Sequence, residues 1–137
     1  HLAGCCSPLN GDKIVGIVTA GIGVAVHTVD CKTLISYEDT PDRWLNISWD
    51  SKINKLETIS NSRIVLVLNN KPGSLGKVTT VIAKNNGNIS NINFSVRKID
   101  FFEIIIDIEV RDANHLENII AALRMETVVS SLERIKG

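Results

Sequence analysis

The strongest constraint on the fold is a ten-residue stretch, 101–110, in which apolar and acidic side chains alternate. Every second residue is apolar: Phe102, Ile104, Ile106, Ile108 and Val110. Glu103, Asp107 and Glu109 occupy three of the five intervening positions. Because successive side chains of a strand point to opposite faces, the pattern predicts a strand with one buried and one wet face.

Two helical patterns and three further strands accompany this strand. A helix is predicted over 74–85 with Leu75, Val78 and Ile82 on one face, ended by Asn86 and Gly87. A second helix, capped by Asp112, buries a stripe of four residues, Leu116, Ile119, Ile120 and Leu123. Strands are predicted over 63–68, 89–96 and 128–135. The order predicts a ferredoxin-like βαββαβ domain over 62–137, with two helices on one face of an antiparallel sheet. The other face is predicted to carry polar residues, Asn91, Asn93 and Ser95 among them.

The first third of the chain has a different character. Strands are predicted over 13–19 and 24–27, joined by a glycine-bearing turn at 20–23. Asp30 is predicted to cap a short helix over 31–35, and a loop over 36–43 leads to an edge strand over 44–49. The predicted fold class is therefore α+β, with a small β-rich cysteine module (1–50), a linker (51–61) and the ferredoxin-like domain (62–137).

All three cysteines lie between positions 5 and 31, and one histidine lies among them. Cys5, Cys6, His27 and Cys31 have the number and type of ligands that one zinc ion takes in a tetrahedral site. Cys5 and Cys6 are adjacent, so both reach one ion only if the backbone bends between them. The alternative is a core of reduced thiols, since free cysteine packs as a small hydrophobe. The residues alone leave both interpretations open.

A second candidate site lies where the strand at 63–68 leads into the helix at 74–85. The segment reads Asn70-Lys71-Pro72-Gly73-Ser74-Leu75. Glycine allows a ligand to approach the backbone, and the free N–H groups at a helix start suit a carboxylate. The segment therefore predicts a site for a small amino acid. The alternative is a turn in which Gly73 serves the geometry alone.

Charge and composition limit the other function classes. Residues 1–50 hold three basic and six acidic side chains, and residues 51–137 hold twelve and nine. Neither half has the dense basic stripe of an autonomous nucleic-acid binder. Three cysteines, an odd number, favour a reducing, cytoplasmic compartment, and no apolar run predicts a membrane span.

Catalysis is not predicted for this chain. No histidine has a nucleophile and a carboxylate in a recognisable arrangement, and His115, at the start of a helix, is expected to be solvated. The only methionine is Met125, so we expect the chain to be part of a longer protein.

The cysteine stretch carries a specific motif, Cys5-Cys6-Ser7-Pro8-x-x-Gly11-Asp12, followed by Gly21-x-Gly23-Val24-x-Val26-His27-x-x-x-Cys31. With it, the chain resembles the C-terminal regulatory region of long RelA/SpoT-type (p)ppGpp synthetase/hydrolases. Residues 1–50 resemble the zinc-finger-like, or ribosome-intersubunit, module of that family. Residues 62–137 resemble its ACT domain, with the segment 72–75 in the place of the ligand loop.

The resemblance implies a non-catalytic regulatory fragment of a bacterial GTP pyrophosphokinase or (p)ppGpp hydrolase that acts in the stringent response. The implied partners are the ribosome, A-site tRNA and N-terminal catalytic domains. ACT domains are similar to amino-acid sensors, some linked to branched-chain amino acids, and many pair as homodimers. One departure stands out: Ala20, Ile22 and Thr28 occupy positions where family members usually carry basic residues.

Overall fold

The computed structural model describes residues 1–49 and 59–136, and the chain forms two compact units. One unit comprises His1–Glu57 with Lys136–Gly137, and the other comprises Thr58–Ile135. Most of the predicted linker, 51–61, lies outside the described residues, and its last two residues belong to a strand. In the part of the chain described, no helix is long and apolar enough to cross a membrane.

The first unit contains a three-stranded antiparallel sheet in the order β2-β1-β3. Its strands are β1 (Ile14–Thr19), β2 (Gly23–Thr28) and β3 (Trp44–Leu45). Two 3₁₀ helices, Lys32–Tyr37 and Pro41–Arg43, connect β2 to β3. The predicted hairpin and edge strand are therefore present, but β3 is much shorter than the predicted strand over 44–49. Trp49 is held instead by its side chain, which donates from Nε1 to the Asp12 carbonyl at 2.8 Å.

The predicted cap of the short helix is wrong. The N-cap residue is Cys31, whose backbone is extended, and not Asp30. The core of this unit lies between this helix and the sheet. Its buried members include two of the cysteines: Ala3, Cys6, Ile17, Cys31 and Leu34. The opposite face of the sheet needs Gly16, because a Cβ there would lie only 2.8 Å from the Val24 side chain.

The second unit is the predicted ferredoxin-like domain. Its elements are β4 (Ser60–Asn69), α1 (Ser74–Lys84), β5 (Asn88–Arg97), β6 (Phe101–Val110), α2 (Ala113–Arg124) and β7 (Val129–Ile135). The four strands form an antiparallel sheet in the order β5-β6-β4-β7. The pairing of β5 with β6 shifts register twice, between Ile89 and Asn91 and between Phe94 and Val96.

The buried face of β6 is confirmed residue by residue, whereas the face predicted to be wet is half-buried. Its apolar side chains are buried at every second position, and the residues between them are half-buried. The register places Ile64 opposite Ile106 and Leu66 opposite Ile104, so that β4 and β6 share one apolar face. Helix residues cover this face, and all are buried: Val78, Ile82, Leu116, Ile119 and Leu123. Each such side chain stabilises the fold by about 1.5–3 kcal/mol.

The two helices are joined by His115, which was expected to be solvated and is not. Its side chain is buried, and its main-chain N–H donates to the capping carboxylate of Asp112 at 2.7 Å, as the predicted cap requires. The ring Nδ1 accepts from the Arg111 N–H at 3.0 Å, and Nε2 lies 2.6 Å from the Asn85 carbonyl. Because a carbonyl only accepts, Nε2 must carry the proton. One neutral ring thus ties the end of α1 to the start of α2.

Candidate metal centre and ligand loop

A reversal of the chain at residues 4–6 brings the two adjacent cysteines to one place. Ala3 donates its N–H to the Val26 carbonyl at 2.9 Å, and Ser7 donates back to the Ala3 carbonyl at 3.1 Å. Ser7 takes a positive φ of 44°, which is uncommon for a residue with a side chain. This is the bend that a shared ion requires of neighbouring cysteines.

The four side chains predicted as ligands lie together. Cys5 Sγ is 3.4 Å from His27 Nδ1 and 3.5 Å from Cys31 Sγ, and Cys6 Sγ is 3.9 Å from His27 Nδ1. One ligand atom from each residue lies within 4.8 Å of all the others. A tetrahedral zinc ion, with bonds of about 2.3 Å to sulfur and about 2.0–2.1 Å to nitrogen, separates its ligands by about 3.5–3.8 Å. The residues present therefore fit a metal ion of this size.

The electrostatics of the cluster differ from one cysteine to the next. Burial raises the pKa of the Cys6 thiol to about 11, although its sulfur accepts from the Thr28 N–H at 3.3 Å. Burial also opposes ionisation of Cys31, but hydrogen bonds from His27 and Thr33 outweigh it and lower the pKa of that thiol to about 6. Cys31 is thus ready to bind a cation at neutral pH, whereas Cys6 must lose a proton to do so.

The cluster is open on one side. Cys5 is exposed, whereas Cys6, His27 and Cys31 are buried. An ion bound here would crosslink the turn at 4–6, the end of β2 and the start of the first 3₁₀ helix. This role is structural: a zinc ion would hold the three segments together through its four ligands.

The second predicted site, the ligand loop (residues 70–75), joins β4 to α1. Asn70 holds it against the β5–β6 turn, since its N–H donates to the Asp100 carbonyl at 3.0 Å and its side chain donates to the Lys98 carbonyl at 2.7 Å. Gly73 has a φ of 88°, in the left-handed region that favours glycine, and as the N-cap residue of the helix that follows it has no side chain to cap it. Asn70, Lys71, Pro72 and Gly73 are exposed, and Leu75 is half-buried.

Ser74 is the unusual member of the ligand loop. It is only 2% exposed, and its hydroxyl has no hydrogen-bond partner among the described residues. A buried hydroxyl without a partner is costly, and native structures rarely leave one. Sequence reasoning did not separate Ser74 from its neighbours, because a serine at the start of a helix is ordinarily solvated or part of a cap.

The departures from the family's basic pattern fall in two environments. Ala20 and Ile22 lie in the exposed turn between β1 and β2, and Ile22 is 70% exposed. Thr28, by contrast, is buried beside Cys6. A basic side chain lies nearby: Arg43 donates from Nε to the Val18 carbonyl at 2.9 Å and stacks over the Tyr37 ring at 4.9 Å.

Fold and sites together define a class of protein in which a small Cys/His module and a ferredoxin-like domain with an open ligand loop occur in one chain. Residues 1–50 match the family model of the RelA/SpoT RIS domain, and residues 58–134 match that of the ACT domain. The chain belongs to the ACT domain family, and its pair of domains is that of the regulatory region of RelA/SpoT-type proteins.

Relatives of known name agree with this assignment. The chain is 39% identical over 127 residues to the GTP pyrophosphokinase rsh of Brucella suis biovar 1, a match that covers 93% of this chain and 17% of that protein. It is 27% identical over 132 residues to the bifunctional (p)ppGpp synthase/hydrolase SpoT of Escherichia coli K12, covering 96% of this chain and 18% of the relative. The chain thus spans less than a fifth of the length of these relatives.

A solved structure resembles the second unit. The crystal structure of the ACT domain from the GTP pyrophosphokinase of Chlorobium tepidum is 28% identical, with a TM-score of 0.51. The match covers 57% of this chain and all of that domain. The ferredoxin-like unit is therefore an ACT domain in fold as well as in sequence.

Proposed function

We propose that this chain is a non-catalytic regulatory segment of a (p)ppGpp synthetase/hydrolase, and that it senses the ribosome and A-site tRNA during the stringent response. It would relay that state to the N-terminal catalytic domains of the parent protein. The observation that supports this most is the joint match of residues 1–50 and 58–134 to the RIS and ACT families, in the order found in GTP pyrophosphokinases.

A zinc ion held by Cys5, Cys6, His27 and Cys31 would give the first module a fixed shape. Its described core is small, with six buried hydrophobic residues, and natural modules with so small a core commonly add a structural metal or another crosslink. The ion would hold the turn at 4–6 and the start of the first 3₁₀ helix against the end of β2, and would so fix the surface that these segments form. The role is structural, and recognition depends on it indirectly.

The metal is tested by elemental analysis of chain purified without chelator. We expect one zinc per chain, lost in His27→Ala and retained in His1→Ala, because the exposed His1 lies outside the cluster. Absence of metal together with slow reaction of all three thiols would contradict the site and favour a thiol core.

Ribosome engagement is tested by co-sedimentation with ribosomes that carry deacylated tRNA in the A site. The chain is expected to pellet with them and to lose this on removal of residues 1–50, on His27→Ala, and partly on Arg43→Ala. Binding should weaken as salt rises if phosphates are contacted. Equal pelleting of the intact and truncated chains would refute ribosome binding through the first module.

A second candidate function, amino-acid sensing by the ACT domain, is favoured by the Ser74 hydroxyl, for which the described part of the chain supplies no hydrogen-bond partner. A bound amino acid could place its carboxylate at the uncapped start of α1 and give Ser74 a hydrogen-bond partner. Valine, isoleucine or leucine should then raise the melting temperature by several degrees, and lysine should not. Ser74→Ala should abolish this shift. No shift with any of the three would rule the function out.

A further inference from the structure

Two sulfurs of the cysteine cluster lie close enough to react with each other. Cys5 Sγ and Cys31 Sγ are 3.5 Å apart, although 26 residues separate them in sequence. A disulfide bond is about 2.05 Å long, so the two sulfurs must approach each other by about 1.5 Å to bond. Cys5 is exposed and lies in a turn, which leaves its side chain open to solvent and to soluble oxidants.

The other pairings are less favourable. Cys6 is only 2% exposed, and its sulfur is held by the Thr28 N–H. A bond between Cys5 and Cys6 would close a small ring across a peptide bond that prefers to be planar and trans. Cys6 Sγ also lies beside Cys31 Sγ, so distance alone does not select a pair. Exposure favours Cys5 with Cys31, because Cys5 is the sulfur that an oxidant reaches first.

We propose that Cys5 and Cys31 are a redox-sensitive pair that closes to a disulfide on exposure to hydrogen peroxide. The Cys5 sulfur attacks one peroxide oxygen, the O–O bond breaks, and Cys5 becomes a sulfenic acid while hydroxide leaves. The Cys31 sulfur then attacks the Cys5 sulfur, the S–O bond breaks, and a second hydroxide leaves. With the two thiol protons the hydroxides become water, so two thiols lose two electrons and one peroxide gains them.

A metal ion would lose two ligands in this step. This part of the inference rests on the proposed zinc site: oxidation of Cys5 and Cys31 leaves only Cys6 and His27, too few to hold zinc firmly. The module would then exchange one crosslink, centred on an ion, for another that joins the turn at 4–6 directly to the start of the 3₁₀ helix. Thiol reductants would reverse the exchange.

The pair is tested on the whole chain after reduction and removal of metal. One equivalent of hydrogen peroxide should lower the intact mass by about 2 Da, and dithiothreitol should restore it. Trypsin, without reduction, should give peptides 1–13 and 14–32 as one linked species, with only Cys6 open to alkylation. The neighbouring cysteines provide matched variants: Cys6→Ser should keep the link, and Cys5→Ser should abolish it.

Several results would overturn the proposal. These are a link through Cys6, a disulfide between two chains, or a gain of about 32 Da at Cys5 without any link. None of these measurements needs metal, so they separate this inference from the zinc site. On zinc-loaded chain, peroxide should release the ion in step with the disulfide. Disulfide formation with the ion retained would refute the coupling, and a chain that never takes up zinc would refute the metal site alone.

Discussion

Two buried serines of the ACT domain should respond to the same substitution with opposite signs. The Ser74 hydroxyl has no partner within residues 1–49 and 59–136, whereas Ser62, also buried, donates its hydroxyl hydrogen to the Ile108 carbonyl at 2.9 Å. Removing a desolvated hydroxyl that bonds to nothing should gain about 1 kcal/mol. Removing one that makes a hydrogen bond should lose about 1 kcal/mol. Ser74→Ala and Ser62→Ala should therefore differ by about 2 kcal/mol in the free energy of unfolding.

The assay must report on the second unit alone. Both tryptophans, Trp44 and Trp49, lie in the first unit, so their fluorescence is not suitable. Hydrogen exchange of the buried β6 amides under native conditions reads the stability of the ACT domain directly. A difference of about 2 kcal/mol would also separate the melting temperatures of the two variants by roughly 10 °C for a domain of this size.

The reasoning about Ser74 fails if the two variants are destabilised to the same extent. That result would mean that the Ser74 hydroxyl has a partner in solution, and the argument for a ligand at this position would fall with it. If Ser74→Ala is instead more stable and its melting temperature no longer rises with branched-chain amino acids, the buried hydroxyl is unfavourable for folding and required for ligand binding.

Three further predictions concern packing, hydrogen bonding and metal uptake. Gly87→Ala should lower the free energy of unfolding by about 1–3 kcal/mol, because its Cβ would lie 2.8 Å from Ile82 and 2.9 Å from Ile119. Gly76→Ala, in open space within α1, should raise it by about 0.5–1 kcal/mol. Urea unfolding measures both variants, and equal effects would refute the packing argument. His115→Leu should lower the free energy of unfolding by about 3 kcal/mol, since it leaves the Arg111 N–H and the Asn85 carbonyl unpaired. An unchanged stability, measured by hydrogen exchange, would contradict these two hydrogen bonds. Zinc affinity should rise about tenfold per pH unit or more between pH 7 and 9, because the Cys6 thiol, whose pKa is raised, must release a proton when zinc binds. Calorimetry in two buffers of different ionisation enthalpy counts the protons released. If no proton is released, Cys6 does not bind the ion as a thiolate.

The sequence predicted the second unit well because its pattern is periodic. The alternation in β6 depends only on the pleat of a strand, and the cap of α2 depends on a carboxylate three residues from the N–H it accepts. Both are local rules, and local rules are visible in a sequence. The ferredoxin-like order of strands and helices followed from them.

Features that depend on distant partners were harder to predict. His115 is buried because the carbonyl of Asn85, 30 residues earlier, receives its proton, and nothing near His115 in sequence indicates this. The adjacency of Cys5 and Cys6 argued against a common ion, but the bend that joins them depends on a bond between Ala3 and Val26. Residues 44–49 alternate like a strand, yet only Trp44 and Leu45 pair with β1.

The register shifts of β5 have a consequence for how this domain meets other chains. An edge strand with regular N–H and C=O groups is a template to which a foreign strand can add, and natural proteins interrupt such edges with bulges. The two register shifts interrupt the outward-facing row of N–H and C=O groups along β5. The pairing of β7 with β4 shifts register once, near Val67 and Leu68. We therefore expect β5 to resist strand addition and aggregation, and any chain that extends this sheet to join it along β7.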